Sequence, residues 1–172
     1  APLPYKRRLS YLENNGTTNY VDTGVVLSND FKVEIGIMPQ VITGYAFCLA
    51  GNRAGIQVWH ATCRLFNSGG KVYYDNGDNR RITGGKLPVG VKADFICGNA
   101  YVYKDGSLIG DIGPVALEHG NHPFLILAYQ HRCYYCKIYD GGDLVASFIP
   151  VMSFEDPPEM FDEVSGTFPV RH

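Results

Sequence analysis

The chain has 172 residues, 45% hydrophobic and 19% charged, with a formal net charge of −2 at pH 7. That length fits one domain of roughly 100–200 residues, and the composition excludes a disordered chain. The near-neutral charge argues against nucleic-acid binding through a broad basic face, and no stretch approaches the ~20 apolar residues of a membrane helix. The basic runs Lys6-Arg7-Arg8 and Arg80-Arg81 are short and read as solvated strand or turn positions.

Strand signals recur along the chain and helical periodicity is nearly absent. Phe31, Val33, Ile35 and Ile37 alternate with Lys32, Glu34 and Gly36, a period of two that predicts a strand with one buried face. Tyr45 to Ala50 is apolar at every position and predicts a central strand covered on both sides, with Cys48 inside it. Asn76-Gly77 and Gly84-Gly85 punctuate the middle as turns. Val91, Ala93, Phe95 and Cys97 alternate with Lys92 and Asp94, which predicts another half-buried strand.

Asp105-Gly106 separates Tyr101-Val102-Tyr103 from Leu108-Ile109. Gly141-Gly142 separates Cys136-Lys137-Ile138-Tyr139 from the run Leu144 to Ile149. Both pairs accept the positive φ that tight primed hairpin turns demand. Phe124 to Leu127 is a further apolar run. Pro150 lacks a donor for a ladder and is expected to end its strand. Glu155-Asp156-Pro157-Pro158-Glu159 reads as an exposed loop. Many short strands with frequent turns predict an all-β fold, a two-sheet antiparallel β-sandwich spanning residues 1–172 as one domain.

The two ends carry recognisable blocks: Tyr11-Leu12-Glu13, Gly16-Thr17 and Tyr20-Val21-Asp22-Thr23-Gly24 near the start, then Lys137-Ile138-Tyr139-Asp140, Phe148-Ile149-Pro150-Val151 and Met160-Phe161-Asp162-Glu163-Val164-Ser165-Gly166-Thr167-Phe168 near the end. In order and spacing they resemble the concanavalin A-like, laminin-G-like jelly-roll modules of secreted gut-bacterial proteins and phage tail proteins. The resemblance implies two packed antiparallel sheets with the termini side by side. It implies carbohydrate binding or surface attachment more often than catalysis, in an extracellular, cell-surface or virion setting. The blocks read as framework, so no functional residue is carried over from them. Similar tails often carry a Gly before the aromatic–Asp pair, whereas this chain has Glu159-Met160-Phe161-Asp162.

Sugar binding needs an aromatic plate with planar polar groups beside it. Trp59 shares a strand face with Gln57, opposite Ile56 and Val58, so an inward Ile56 and Val58 would turn Trp59 outward; the competing reading is a core aromatic of one sheet, because Trp is highly buried on average. Arg53, Asn52, Tyr73 and Tyr74 are near it in sequence and complete this candidate glycan site. Asp75-Asn76-Gly77-Asp78-Asn79 offers hard oxygens on a tight loop, which makes Asp75 and Asp78 candidate calcium ligands; these are also ordinary hairpin residues. No other cofactor is expected.

His60 with Cys63, and Cys133 with Cys136, hold the ligand types of a zinc site. Residues three apart on a regular strand point to opposite faces, so chelation by Cys133 and Cys136 needs a bulge between them. His119 and His122 form a lone H-x-x-H. No strand carries the alternating carboxylates of a glycosidase on this fold, and no G-x-S-x-G, H-E-x-x-H or phosphate-binding loop occurs. Two expectations follow: a non-catalytic carbohydrate-binding or adhesion module whose partner is a glycan or surface polysaccharide, or a structural assembly module contacting other domains of a larger protein.

Overall fold

A computed structural model describes residues 2–16, 19–42, 44–50, 61–76, 81–114, 123–127, 130–155 and 157–171. Its strands in chain order are β1 (Arg7–Arg8), β2 (Leu12–Glu13), β3 (Val21–Asp22), β4 (Phe31–Pro39), β5 (Gly44–Ala50), β6 (Ala61–Ser68), β7 (Lys71–Asn76), β8 (Arg81–Lys86), β9 (Ala93–Gly98), β10 (Tyr101–Lys104), β11 (Ser107–Asp111), β12 (Phe124–Ile126), β13 (His131–Asp140), β14 (Asp143–Met152), β15 (Pro158–Asp162) and β16 (Val170–Arg171). No helix occurs among the described residues, so none there is long and apolar enough to cross a membrane.

The strands form an all-β antiparallel sandwich. One sheet runs β1-β14-β13-β4-β9-β10-β11, with β15 also on β14 and β2 also on β13; the other runs β16-β3-β12-β5-β6-β7-β8. The alternation at Phe31 to Ile37 appears in β4 as buried Phe31, Val33, Ile35 and Ile37 with Lys32 and Glu34 outside. These residues meet Leu65, Val72, Tyr74 and Phe124 of the other sheet in one shared core. Each such fully buried side chain contributes about 1.5–3 kcal/mol. Tyr74 Oη crosses the core and donates to the Gly98 carbonyl at 2.5 Å, tying the two sheets together.

Asp105-Gly106 and Gly141-Gly142 are tight hairpin turns, with φ of 49° and 85°, and 58° and 92°. That sign of φ at both positions matches the right-handed twist of the strands they join. Elsewhere the structure departs from local expectation. Gly84-Gly85 lies inside β8 rather than in a turn. A Cβ on Gly84 would sit 3.1 Å from Ile109 of the opposite sheet and 3.1 Å from Val72; one on Gly110 would sit 2.8 Å from Ile82. The glycines let β8 and β11 close one side of the sandwich at short range.

Pro150 does not end β14, which continues to Met152. It falls between Phe148, the last residue paired with β13, and Val151, which pairs with β1. Its carbonyl still accepts from Leu9 N–H at 2.9 Å, so the missing donor falls where one partner strand hands over to the next. The acidic segment around Glu155 is not loop throughout: Pro158 opens β15, as a first strand residue can. The strand expected from Val91 starts at Ala93, and Val91 is exposed.

The end blocks tie down loops. Asn14 is buried; its Nδ2 donates to Asn19 O at 2.7 Å and Leu127 O at 2.6 Å, and its Oδ1 accepts from Gly16 N–H. Asp162 is buried at the other end, where its Oδ1 accepts from Ser147 N–H at 2.9 Å and Val164 N–H at 3.0 Å.

A bulge between Cys133 and Tyr135 shifts the register of β13 against β4. It restores Cys133 and Cys136 to one face, and both thiols are buried in the core. Burial pushes the Cys133 thiol up to about 12 and Cys136 well above the usual thiol range. Cys97, Cys133 and Cys136 are therefore expected to resist iodoacetamide at pH 8 in the folded protein and to label fully in urea, read by peptide mass spectrometry; rapid native labelling would contradict this packing.

Candidate ligand-binding site

The sequence-derived glycan site lies partly outside the described residues: Asn52, Arg53 and Trp59 fall there, as do Asp78 of the calcium pair, His60 of the zinc set, and His119 and His122. Tyr73 is half-buried on the outer face of β7. Tyr74, its neighbour, points the other way and is fully buried in the core, so it joins no surface site.

Tyr73 stacks on Phe66 of β6, with ring centroids 5.3 Å apart and planes at 15°. The Arg81 guanidinium covers both rings, 5.4 Å from the Phe66 centroid and 5.2 Å from that of Tyr73, and Arg64 lies 4.8 Å from Phe66. Arg64, Asp75 and Arg81 form a row across β6, β7 and β8. Asp75 Oδ2 accepts from Arg64 Nε at 2.7 Å and Arg81 Nη2 at 3.0 Å, and Oδ1 accepts from Arg81 Nε at 2.7 Å. Both oxygens of Asp75 are thus engaged by cations, and a calcium ion there would have to displace two guanidiniums. Among the described residues no group of three or more His, Cys, Asp or Glu side chains stands close enough to hold a metal ion.

A second cluster lies at one end of the outer face of the first sheet. The pairing places Tyr139 opposite Lys32, Lys32 opposite Gly98, Gly98 opposite Tyr101, and Tyr101 opposite Asp111. This row crosses β13, β4, β9, β10 and β11. Three strand spacings separate the two tyrosines, about 14 Å at roughly 4.8 Å each. Loops carrying Asn29, Asp30, Asn99, Pro114 and Gly142 wall the end of the row and enclose an open cleft of about 400 Å³.

Each group in the cleft has a physical reason for its place. Gly98 has no side chain, and a Cβ there would lie 2.1–2.4 Å from the outer ring atoms of Tyr101. The bare backbone lets the Tyr101 ring lie flat on the strand. Burial chiefly, with Cys97, Tyr103, Asp111 and Asp30 nearby, raises the Tyr101 pKa, so its hydroxyl stays protonated and able to donate. Lys32 Nζ stands 4.3 Å from the Tyr139 ring centroid and 3.6 Å from Glu34 Oε1. Asn99 is buried and donates to Asn29 O at 3.0 Å, which ties the β9–β10 turn to the loop holding Asp30. The Asp111 carboxylate accepts from Gly113 N–H at 3.0 Å and is otherwise exposed, as is Asp30. The cleft thus combines two flat apolar rings, two carboxylate acceptors, an ammonium and an amide.

More tyrosines occupy the same outer face. Tyr135 lies across Gly36 and donates to Asp94 Oδ1 at 2.8 Å. Arg132 lies 4.3 Å from the Tyr11 ring centroid and Lys92 4.7 Å from that of Tyr134. Arg132 Nε also donates to Glu13 Oε1 at 2.8 Å, and that bond chiefly holds the Glu13 carboxyl below its ordinary range. These side chains pair with one another across the sheet face.

No protein-family model matches the chain, and no curated protein matches it.

Proposed function

We propose that the domain is a non-catalytic carbohydrate-binding or adhesion module of a secreted, surface or virion protein, and that it holds a neutral glycan in the Tyr101–Tyr139 cleft. The observation carrying this reading is the cleft itself: aromatic rings for the C–H faces of a pyranose beside the exposed Asp30, Asp111 and Asn29 and the half-buried Lys32 for its hydroxyls. Its size lies within the range of small-ligand sites, at roughly 300–1,000 Å³. The resemblance of the end blocks to concanavalin A-like, laminin-G-like jelly-roll modules supports the same reading. Both carboxylates are solvent-exposed, unlike the acid of a glycosidase, which sits in apolar surroundings. That favours binding over hydrolysis.

A glycan-array screen tests the proposal, followed by calorimetric titration of the best ligand. Tyr101→Ala is expected to lower affinity about tenfold or more, as loss of one buried aromatic contact does. Equal affinity in the variant would move the site elsewhere.

One feature favours the structural-assembly alternative. Ile42, Val89 and Val91 are 63%, 45% and 50% exposed, and loop hydrogen bonds from Gly70 to Ile42 and from Gly90 to Pro39 fix their backbones at one end of the sandwich. Self-association of the purified domain, abolished by Ile42→Ser, would support that alternative.

A further inference from the structure

The chain has a second open cleft, of about 560 Å³, where its two ends meet. Arg7 and Arg8 of β1, Tyr11, Met152, Pro158 and Arg171 of β16 line it. Arg7 pairs with Met152 and so shares its face, while Arg8 pairs with Val151 and starts from the opposite face of a two-residue edge strand. Arg171 reaches across from the other sheet, and its Nη1 donates to Pro158 O at 2.6 Å. The first and last strands of the sandwich thus contribute three arginines to the lining of one opening.

Among the described residues none of the three arginines makes an ion pair. Glu13 lines the same cleft, but its carboxylate is held by Arg132 at 2.8 Å and by Gln40. This concentration of positive charge occurs in a chain whose net charge is −2. It also lies far from the tyrosine cleft. Gly142 borders that cleft and Met152 borders this one, and the strand between them spans about 30 Å at roughly 3.3 Å per residue.

We infer that the cleft between the chain ends is an oxyanion site, in which Arg7 and Arg171 grip a sulfate or carboxylate group of an acidic polysaccharide from the two sheets. The guanidinium fork matches the planar or tetrahedral oxygens of such groups, and two forks contributed by different sheets select an anion over a neutral hydroxyl. Three arginines are too few for a nucleic-acid track, which engages six to ten phosphates in typical cases. The inference is independent of the tyrosine cleft, since either site can bind without the other.

The test is titration of the whole domain with dextran sulfate and with unmodified dextran at low ionic strength. Arg7→Gln/Arg171→Gln is compared with Lys71→Gln/Lys86→Gln, which removes the same charge from a distant exposed pair. Binding of dextran sulfate and not dextran is expected, weakened about tenfold or more in the arginine pair, as loss of charge-assisted hydrogen bonds should do, and little changed in the lysine pair. Equal losses in the two pairs would show a diffuse charge effect and overturn the site. So would absent binding, or unchanged binding without Arg7 and Arg171. Two further arms name the source of the anion. Sodium sulfate matching dextran sulfate per sulfate group, or a DNA 20-mer binding more tightly than either, would overturn the polysaccharide assignment.

Discussion

Tyr74→Ala is expected to destabilise the domain by about 3–5 kcal/mol, the range for deleting a large buried aromatic side chain. Tyr74 is fully buried in the shared core and is among its largest side chains. Its hydroxyl also bonds the Gly98 carbonyl of the opposite sheet. Tyr74→Phe keeps the ring and loses the bond, so a smaller cost of about 1–3 kcal/mol is expected, the range for leaving a buried polar group unsatisfied. Urea unfolding followed by fluorescence separates the two. A Tyr74→Ala cost under about 1 kcal/mol would mean that the core does not close around this residue.

Asp162→Ala is the second large effect, expected at about 2–4 kcal/mol. The side chain is buried, and one carboxylate oxygen serves two backbone donors, Ser147 N–H and Val164 N–H. Removing it leaves the buried Ser147 N–H and the part-buried Val164 N–H without their acceptor, at about 1–3 kcal/mol for a buried group and less for one that water reaches. Asp162→Asn retains an oxygen in the same place and is expected to recover most of the loss. Equal destabilisation by the two variants, measured by the same unfolding curve, would assign the effect to the negative charge rather than to the two hydrogen bonds.

The turn at Asp105-Gly106 and the buried face of β4 were legible because both are local: one needs two residues that accept positive φ, the other a period of two. Pro150 misled for the same reason. The rule that proline stops a strand is local, whereas the gap it occupies between β13 and β1 is set by which strands lie alongside. The bulge at Cys133 to Tyr135 inverts the parity of every later residue in β13, which no alternation pattern reveals.

The tyrosine cleft was hidden more deeply. Tyr139, Lys32, Gly98, Tyr101 and Asp111 lie on five strands and become neighbours only through sheet register. Sequence proximity instead gathered Tyr73 and Tyr74, which strand alternation sends to opposite faces. One signal was present in hindsight. Gly98 stands just before the turn into Tyr101, and a glycine beside an aromatic across a hairpin is a place for a ring to lie flat. Gly98 serves both sides of its sheet: its carbonyl receives Tyr74 from the core and its bare backbone receives Tyr101 from outside. Core packing and cleft geometry are coupled at that residue.

The most direct measurement is a structure of the domain with the best-binding glycan from the array. A sugar ring stacked on Tyr101 or Tyr139, with hydroxyls on Asp30 or Asp111, is the predicted result. A glycan seated elsewhere on the domain, or a folded domain that binds no glycan at all, would contradict the account.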